Sequence, residues 1–416
     1  VILWFFACTG EEATPVVPPP APPVEAPPPA APTVWTKDNI AELVPVAPSR
    51  ATTVGKAIPA LEKYDTTLTT LGSVIDTYAG DPDNPWAIAH GVLARGPEFR
   101  LSDGRPAVPH LFSSFAEERT IGTHSLLGFP RALGEIRVEP HTDLLLKNLG
   151  EVGVLPETVY PTRIGDRPVA DLYRYTLIKT FLQPAQNKSS YDGPNDIPWG
   201  VQALAQWAPP GELQWIASDG TTMDLDDLAT FNTAVITQES AFMFDAMQKK
   251  QSFTRQGQAL FAYTCGGSHL VQGASYAIAR GYGTPRDRKM VEAQAPLLFY
   301  RLPIELDIVD EALKTNPRHK TRLLVQRMKF LGHFLETISK MQAMGLFVPT
   351  DDQIRTVEGA AQNLVVTVEA LKKAGVFDNM APLREKDEQL YLDVIGDACH
   401  AVRGLELALG RSQMRW

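Results

Sequence analysis

The sequence predicts an all-α protein: one large helical domain with at most a short β-hairpin. Three observations predict it. Beyond about residue 55, apolar residues recur at three- and four-residue spacings, the period of a helix face. Strand-like alternation is sparse. Glycines stand where the amphipathic segments stop. Of 416 residues, 44% are hydrophobic and 21% charged, which allows a core of ordinary size and excludes general disorder. The formal charge of −9, with no lysine- or arginine-rich run, excludes a general nucleic-acid binder.

The first element is an address. Val1-Ile2-Leu3-Trp4-Phe5-Phe6-Ala7-Cys8 is an apolar run ending in a small residue and a cysteine, followed at once by polar residues. It resembles the bacterial lipobox, in which the cysteine carries lipid and becomes the mature N-terminus. Ala7 fits the small residue before it; Phe5 stands where leucine is usual. The resemblance implies a signal-peptide remnant over 1–7, lipidation of Cys8 and anchorage in a membrane. Thr9, where aspartate often marks inner-membrane retention, points to the outer membrane of the cell envelope.

Residues 14–34, TPVVPPPAPPVEAPPPAAPTV, can be neither helix nor sheet, because proline fixes φ and lacks the amide donor. They favour polyproline II at ~3.1 Å per residue, a tether that holds a domain away from its anchor. The lipidated cysteine and linker are assigned to 8–50, and the helical domain to 51–416. No later run approaches the ~18 apolar residues that span a bilayer.

Within the domain the elements follow in order. Residues 97–140, dense in Gly, Pro and Arg, read as a long ordered loop. Residues 212–223, with Asp219-Gly220 at the turn, predict the one hairpin. Helices are predicted over 225–249, 317–345, 351–375 and 386–410, with Asp224 and Asp351 as N-caps and Gly345, Gly375 and Gly410 as stops. A repeat lies beneath them. His141, Trp199, His269, His333 and Asn363 each stand twelve residues before a glycine, with a mostly apolar helix between; Trp86–Gly96 and His400–Gly410 are the same unit, shorter by two. Alternating helices, one set more apolar and richer in Gly and Ala, resemble the α/α toroid of terpene cyclases, protein prenyltransferases and many polysaccharide-processing enzymes, over about residues 60–410. The resemblance is architectural: the QW motifs and DDxD-type acid motif of such enzymes are absent.

The richest chemistry lies in Tyr263-Thr264-Cys265-Gly266-Gly267-Ser268-His269. Two glycines and Ser268 as N-cap suit a helix start, and Cys265 and His269 are spaced to share a metal or to act as nucleophile and base. Cys399-His400 is a second such pair. Lanthionine cyclases, toroids whose zinc is held by two separate cysteines and a histidine next to one of them, are similar here, although their Cys-His-Gly reads Cys399-His400-Ala401. A disulfide competes with the metal. With Cys8 lipidated, Cys265 and Cys399 are the two remaining thiols outside the cytoplasm, where thiols pair. The bridge is the expectation, ahead of two buried free thiols, and no metal or cofactor is assigned.

His141-Thr142-Asp143 offers an imidazole with a carboxylate to orient it as a general base, or a plain helix start in which Asp143 meets the dipole. Trp86, Trp199, Trp207 and Trp215 can form a sugar-stacking wall or pack the core. His333 and Glu336 share a helix face, pointing at the ring centre or forming a surface ion pair. No phosphate-binding glycine loop, G-x-S-x-G elbow or HExxH occurs.

Two functions follow. The preferred one is a lipid-anchored binding or scaffolding module outside the cytoplasm, its partners the membrane through Cys8 and a polysaccharide or envelope protein. The alternative is a toroid enzyme processing a glycan or other extended substrate, with His141, Asp143, Tyr263 and His269 catalytic and Trp86, Trp199, His333 and Glu336 binding. Convergence of Trp86, His141, Trp199 and His269 on one open cavity favours the enzyme; scatter or burial favours the scaffold.

Overall fold

The described residues are mostly helical, with several small β-hairpins and one small mixed sheet. A computed structural model describes residues 33–48, 51–52 and 54–416. The signal remnant, Cys8 and the proline-rich run to residue 32 lie outside the described residues. The compact unit begins at Thr33. Residues 33–48, read above as linker, therefore join the folded part, and Ile40 and Leu43 are wholly buried there.

The helices are α1 Glu62–Val74, extended by a π turn over Ile75–Ala79, α2 Pro85–Arg95, α3 Ala107–Phe115, α4 Leu144–Val152, α5 Ala170–Lys179, α6 Ile197–Trp207 and α7 Leu225–Gln248. Then come α8 Ser268–Ala279, α9 Pro285–Glu292, α10 Gln294–Thr315, α11 Lys320–Ala343, α12 Asp351–Lys373, α13 Ala381–Lys386 and α14 Glu388–Ala408. Start signals act as expected at Asp224, whose side chain accepts the Asp226 amide. At α12 the cap is Thr350, in a capping box with Gln353, and Asp351 is the first helical residue. The glycine stops share one geometry. Gly345 and Gly410 have φ of 70° and 68°, and the amide beyond each reaches back to a carbonyl, Leu346 to Met341 at 3.0 Å and Arg411 to Glu406 at 2.9 Å. This is the Schellman stop, which only a residue tolerant of positive φ closes cheaply.

The expectation of at most one hairpin is corrected. The predicted hairpin forms, Gln214–Ile216 against Thr222–Asp224, and Val34–Trp35 adds a parallel third strand. Residues 97–140, expected as loop, hold α3 and two further hairpins: Glu117–Ile121 with His124–Gly128, and Ala132–Leu133 with Ile136–Arg137. The first of these strands is Glu-Glu-Arg-Thr-Ile, too polar to show an apolar alternation. Two more hairpins pair 159–162 with 165–168 and 182–183 with 188–189.

Six helices neighbour one another in order: α2 packs on α4, α4 on α6, α6 on α8, α8 on α11, α11 on α14, and α14 on α2. They are buried nearly all round; every residue of α6 and all but the last of α8 are buried. Others lie against their backs, α1 on α14, α3 on α2, α5 on α6, α7 on α6 and α8, and α12 on α11. Glycines set the closest approaches. A Cβ at Gly273 of α8 would stand 2.6 Å from the Pro198 carbonyl oxygen of α6, and one at Gly332 of α11 would stand 2.9 Å from the Ala401 Cα of α14. At Gly396 of α14 it would meet the Trp86 ring of α2 at 2.8 Å. These three contacts sit beside residues that bear rings.

Candidate functional site

Each glycine crossing brings two rings together. Pro198 against Gly273 sets Trp199 on His269, with centroids 4.6 Å apart. Gly332 against Ala401 sets His333 on His400 at 4.0 Å. The neighbourhood of Gly396 joins Trp86 to His90 at 4.1 Å and His90 to His400 at 5.5 Å. His269 closes the line, 5.1 Å from His333 and 5.5 Å from His400, and His141 stacks parallel on Trp199 at 4.5 Å. The result is one continuous cluster: His141, Trp199, His269, His333, His400, His90 and Trp86. Six of its members head the repeat units seen in the sequence. Asn363 does not join, because α12 packs outside α11, and its side chain accepts a bond from Arg327.

The cluster converges, but it is largely sealed. Trp199, His90, His269, His333 and His400 are buried, while Trp86 is half-buried and the His141 side chain is 25% exposed. A surface recess of about 320 Å³ lies elsewhere, beside Pro209, Glu212, Arg280 and Tyr282, and no candidate residue lines it. Burial, with His400 next to it, pushes His90 down to about 3. Burial and the neighbouring imidazoles hold His269 and His333 well below the usual histidine range. Burial thus favours the neutral imidazole, the form that binds metals.

His333 is the least satisfied of them: at 1% exposure, neither ring nitrogen has a hydrogen-bond partner. Two donor sets share it. Cys265, His269 and His333 offer ligand atoms within 4.8 Å of one another, as do His333, Glu336 and His400. Cys265 reaches the first set from a strained turn, with Cys265, Gly266 and Gly267 in succession at φ 54°, 59° and 82°. The turn is pinned by Arg301, which donates to the Gly266 carbonyl at 2.8 Å, and by paired Asn195–Thr264 bonds of 2.8 and 3.0 Å. Ser268 is not the cap of α8. Gly267 holds that position, and Ser268 donates to the Cys265 carbonyl.

The expected disulfide is absent: Cys265 and Cys399 are both free. Cys265 turns toward His269 and His333, whereas Cys399 lies among Arg95, Asp76 and Asp397. On a helix, consecutive residues point about 100° apart, so His400 faces the cluster and its neighbour does not. Burial pushes both thiols up.

Beneath the rings lies a buried ion network that the sequence reading missed. His400 Nδ1 donates to Glu336 Oε2 at 2.8 Å, and Lys340 Nζ stands 2.6 Å from Glu336 Oε1. Lys340 also donates to Glu151 Oε2 at 2.9 Å, and Arg403 to Glu151 Oε1 at 3.2 Å. Glu336 and His333, one alternative for which was a surface pair, are thus both interior. Burial opposes charge on the two glutamates, but Lys340 and its neighbours outweigh it, holding Glu336 well below the usual range and Glu151 down to about 2. Burial and Lys340 lower Lys147 to about 8. The sequence signal was there: Lys147/Glu151 and Glu336/Lys340, each four apart inside helices otherwise apolar enough to be core.

His141 has a carboxylate partner, but it is Asp196, with His141 Nδ1 donating to Oδ1 at 3.0 Å. Asp143 turns away, accepting from Thr176 at 2.7 Å and Lys179 at 2.6 Å. Asp143 holds the N-cap position of α4 at φ 66°, but its side chain makes no cap bond. Glu139 takes that role, accepting the Leu145 amide at 2.8 Å. Burial and Asp143 push Glu139 up to about 8. Tyr263 is half-buried and bonds Glu239 of α7, outside the cluster. The sugar-stacking wall is not formed: Trp199, Trp207 and Trp215 are buried, and Trp86 alone of the four reaches the surface.

No protein-family model, curated protein or solved structure matches the chain. Among the described residues, no helix is long and apolar enough to cross a membrane.

Proposed function

We propose that this chain is a lipid-anchored envelope protein whose helical domain is a closed α/α ring, and that it binds a small polar species on the ring axis. The cyclic neighbour order of α2, α4, α6, α8, α11 and α14 supports the ring. The lipobox-like end at Cys8 and the proline tether support the address. One observation carries the binding role: the line of rings that runs from the partly exposed His141 and Trp86 down to His333, whose nitrogens make no hydrogen bond. An extended glycan fits less well, because three of the four tryptophans are buried.

The test is thermal unfolding of the purified chain against a panel of small ions, small polar solutes and oligosaccharides, with the His141→Ala variant alongside. The proposal expects a small solute to raise Tm saturably, by an amount set by its free concentration over Kd, and the effect to weaken in the variant. Stabilisation by oligosaccharides alone would overturn it. The address is tested separately by Cys8→Ala, which should move the protein from the membrane to the soluble fraction.

A catalytic reading of the same site rests on the His141–Asp196 pair: a buried carboxylate holds a partly exposed imidazole in one orientation, as a general base requires. Turnover lost in both His141→Gln and Asp196→Asn, with binding retained, is its signature.

A further inference from the structure

Resting on that binding reading, we infer that the species held on the axis is a transition-metal cation of the zinc class, with Cys265, His269 and His333 as its protein ligands. The donor chemistry selects it. One sulfur and two imidazole nitrogens suit zinc-class ions, whereas calcium and magnesium require oxygen. The donors already lie within 4.8 Å of one another. Bonds of ~2.0–2.3 Å in a tetrahedron place ligand atoms about 3.3–3.6 Å apart, so a small contraction about an ion completes the site.

Two independent features point the same way. His333 is 1% exposed, its Nδ1 stands 3.6 Å from Glu336 Oε2, and neither nitrogen makes a hydrogen bond, an arrangement that native cores avoid unless something else binds there. The chain also accepts a left-handed conformation at Cys265, a residue with a Cβ, to deliver its sulfur to that spot, and Arg301, Asn195 and Thr264 hold the turn in place. His400 stands against His333 and is oriented by Glu336, which Lys340 neutralises. Glu336 Oε2 also stands 3.6 Å from Nδ1 of His333, where a carboxylate supports a histidine that ligates through its other nitrogen, and this makes Glu336 a positioning residue. Binding exchanges the Cys265 thiol proton for the metal: the proton leaves to solvent and the S–metal bond forms. Three protein donors leave a fourth position for water or a small ligand.

The test uses the full chain, reduced and stripped with chelator, titrated with Co²⁺ and then Zn²⁺. The inference expects one Co²⁺ per chain, with a thiolate-to-cobalt absorption band that Zn²⁺ displaces. Cys265→Ser should lose the band and bind more than about 100-fold more weakly, beyond the loss seen on removing outer-shell support. His333→Gln should do likewise, and Cys399→Ser should retain both band and affinity. If His333→Gln fails to fold by circular dichroism, Cys265→Ser, on a half-buried turn, carries the test. A folded wild-type chain without stoichiometric binding overturns the inference, as does a band lost in Cys399→Ser and kept in Cys265→Ser. If another small solute still stabilises the wild type and not His141→Ala, the metal alone is wrong. If nothing binds, the binding reading falls with it.

Discussion

The His333 and His400 rings meet at 4.0 Å, tilted 38° to one another, where Gly332 lets the backbones of α11 and α14 touch. A Cβ at the facing Gly404 would stand 2.5 Å from the Gly332 carbonyl oxygen and 2.8 Å from the Glu336 amide nitrogen. Gly404→Ala should therefore force the helices apart and cost about 1–3 kcal/mol or more, as overpacked cores do. Gly359 sits in α12 with nothing within 4 Å of its Cβ position. Gly359→Ala should instead gain about 0.5–1 kcal/mol from helix propensity. Denaturant unfolding of the two variants checks the contrast; equal effects would refute the close crossing.

Glu151 is the anion shared by Lys340, Arg403 and Lys147, all of them buried. Glu151→Gln leaves three cations facing one neutral amide, and breaking a buried pair costs about 3–5 kcal/mol. Its folded pKa, about 2, is depressed from 4.5. The stability it contributes is present above 4.5 and is lost as pH falls toward 2. The wild type should lose stability through that acid window, and the variant should show less of that loss.

Glu139 carries the opposite sign. Its folded pKa, about 8, lies above the ordinary 4.5, so its contribution is fully present below 4.5 and is lost as pH rises through 8. Glu139→Gln keeps an oxygen for the Leu145 amide without the charge beside Asp143. Its Tm should exceed that of the wild type at alkaline pH, and the difference should shrink toward pH 4.5. A constant difference across that range would contradict the assignment.

Cys265 and Cys399 are free. The denatured, unreduced domain should titrate with both thiols, and Tm should be unchanged by reductant. A thiol count that rises only after reduction would restore the bridge.

Much of this was legible in the sequence because it is local. A glycine stop, a cap and an apolar stripe each depend on residues within a few positions, so α7, α11, α12 and α14 fall where expected. The repeat also picked out Trp86, His141, Trp199, His269, His333 and His400, which do meet. Its failures are non-local. Asp196 lies 55 positions from His141 and displaced Asp143 as its partner. Glu151 meets Arg403 across 252 positions, which no spacing encodes. Counting thiols suggests a bridge, but a bridge depends on non-local geometry, and both thiols are free, Cys265 lying with His269 and His333.

The most direct measurement is anomalous diffraction at the zinc edge from crystals of the zinc-loaded chain. The account predicts one peak bonded to Cys265 Sγ, His269 and His333, at ~2.0–2.3 Å from each. A zinc-loaded structure with no peak among those three residues, or with a peak only at surface carboxylates, would contradict it.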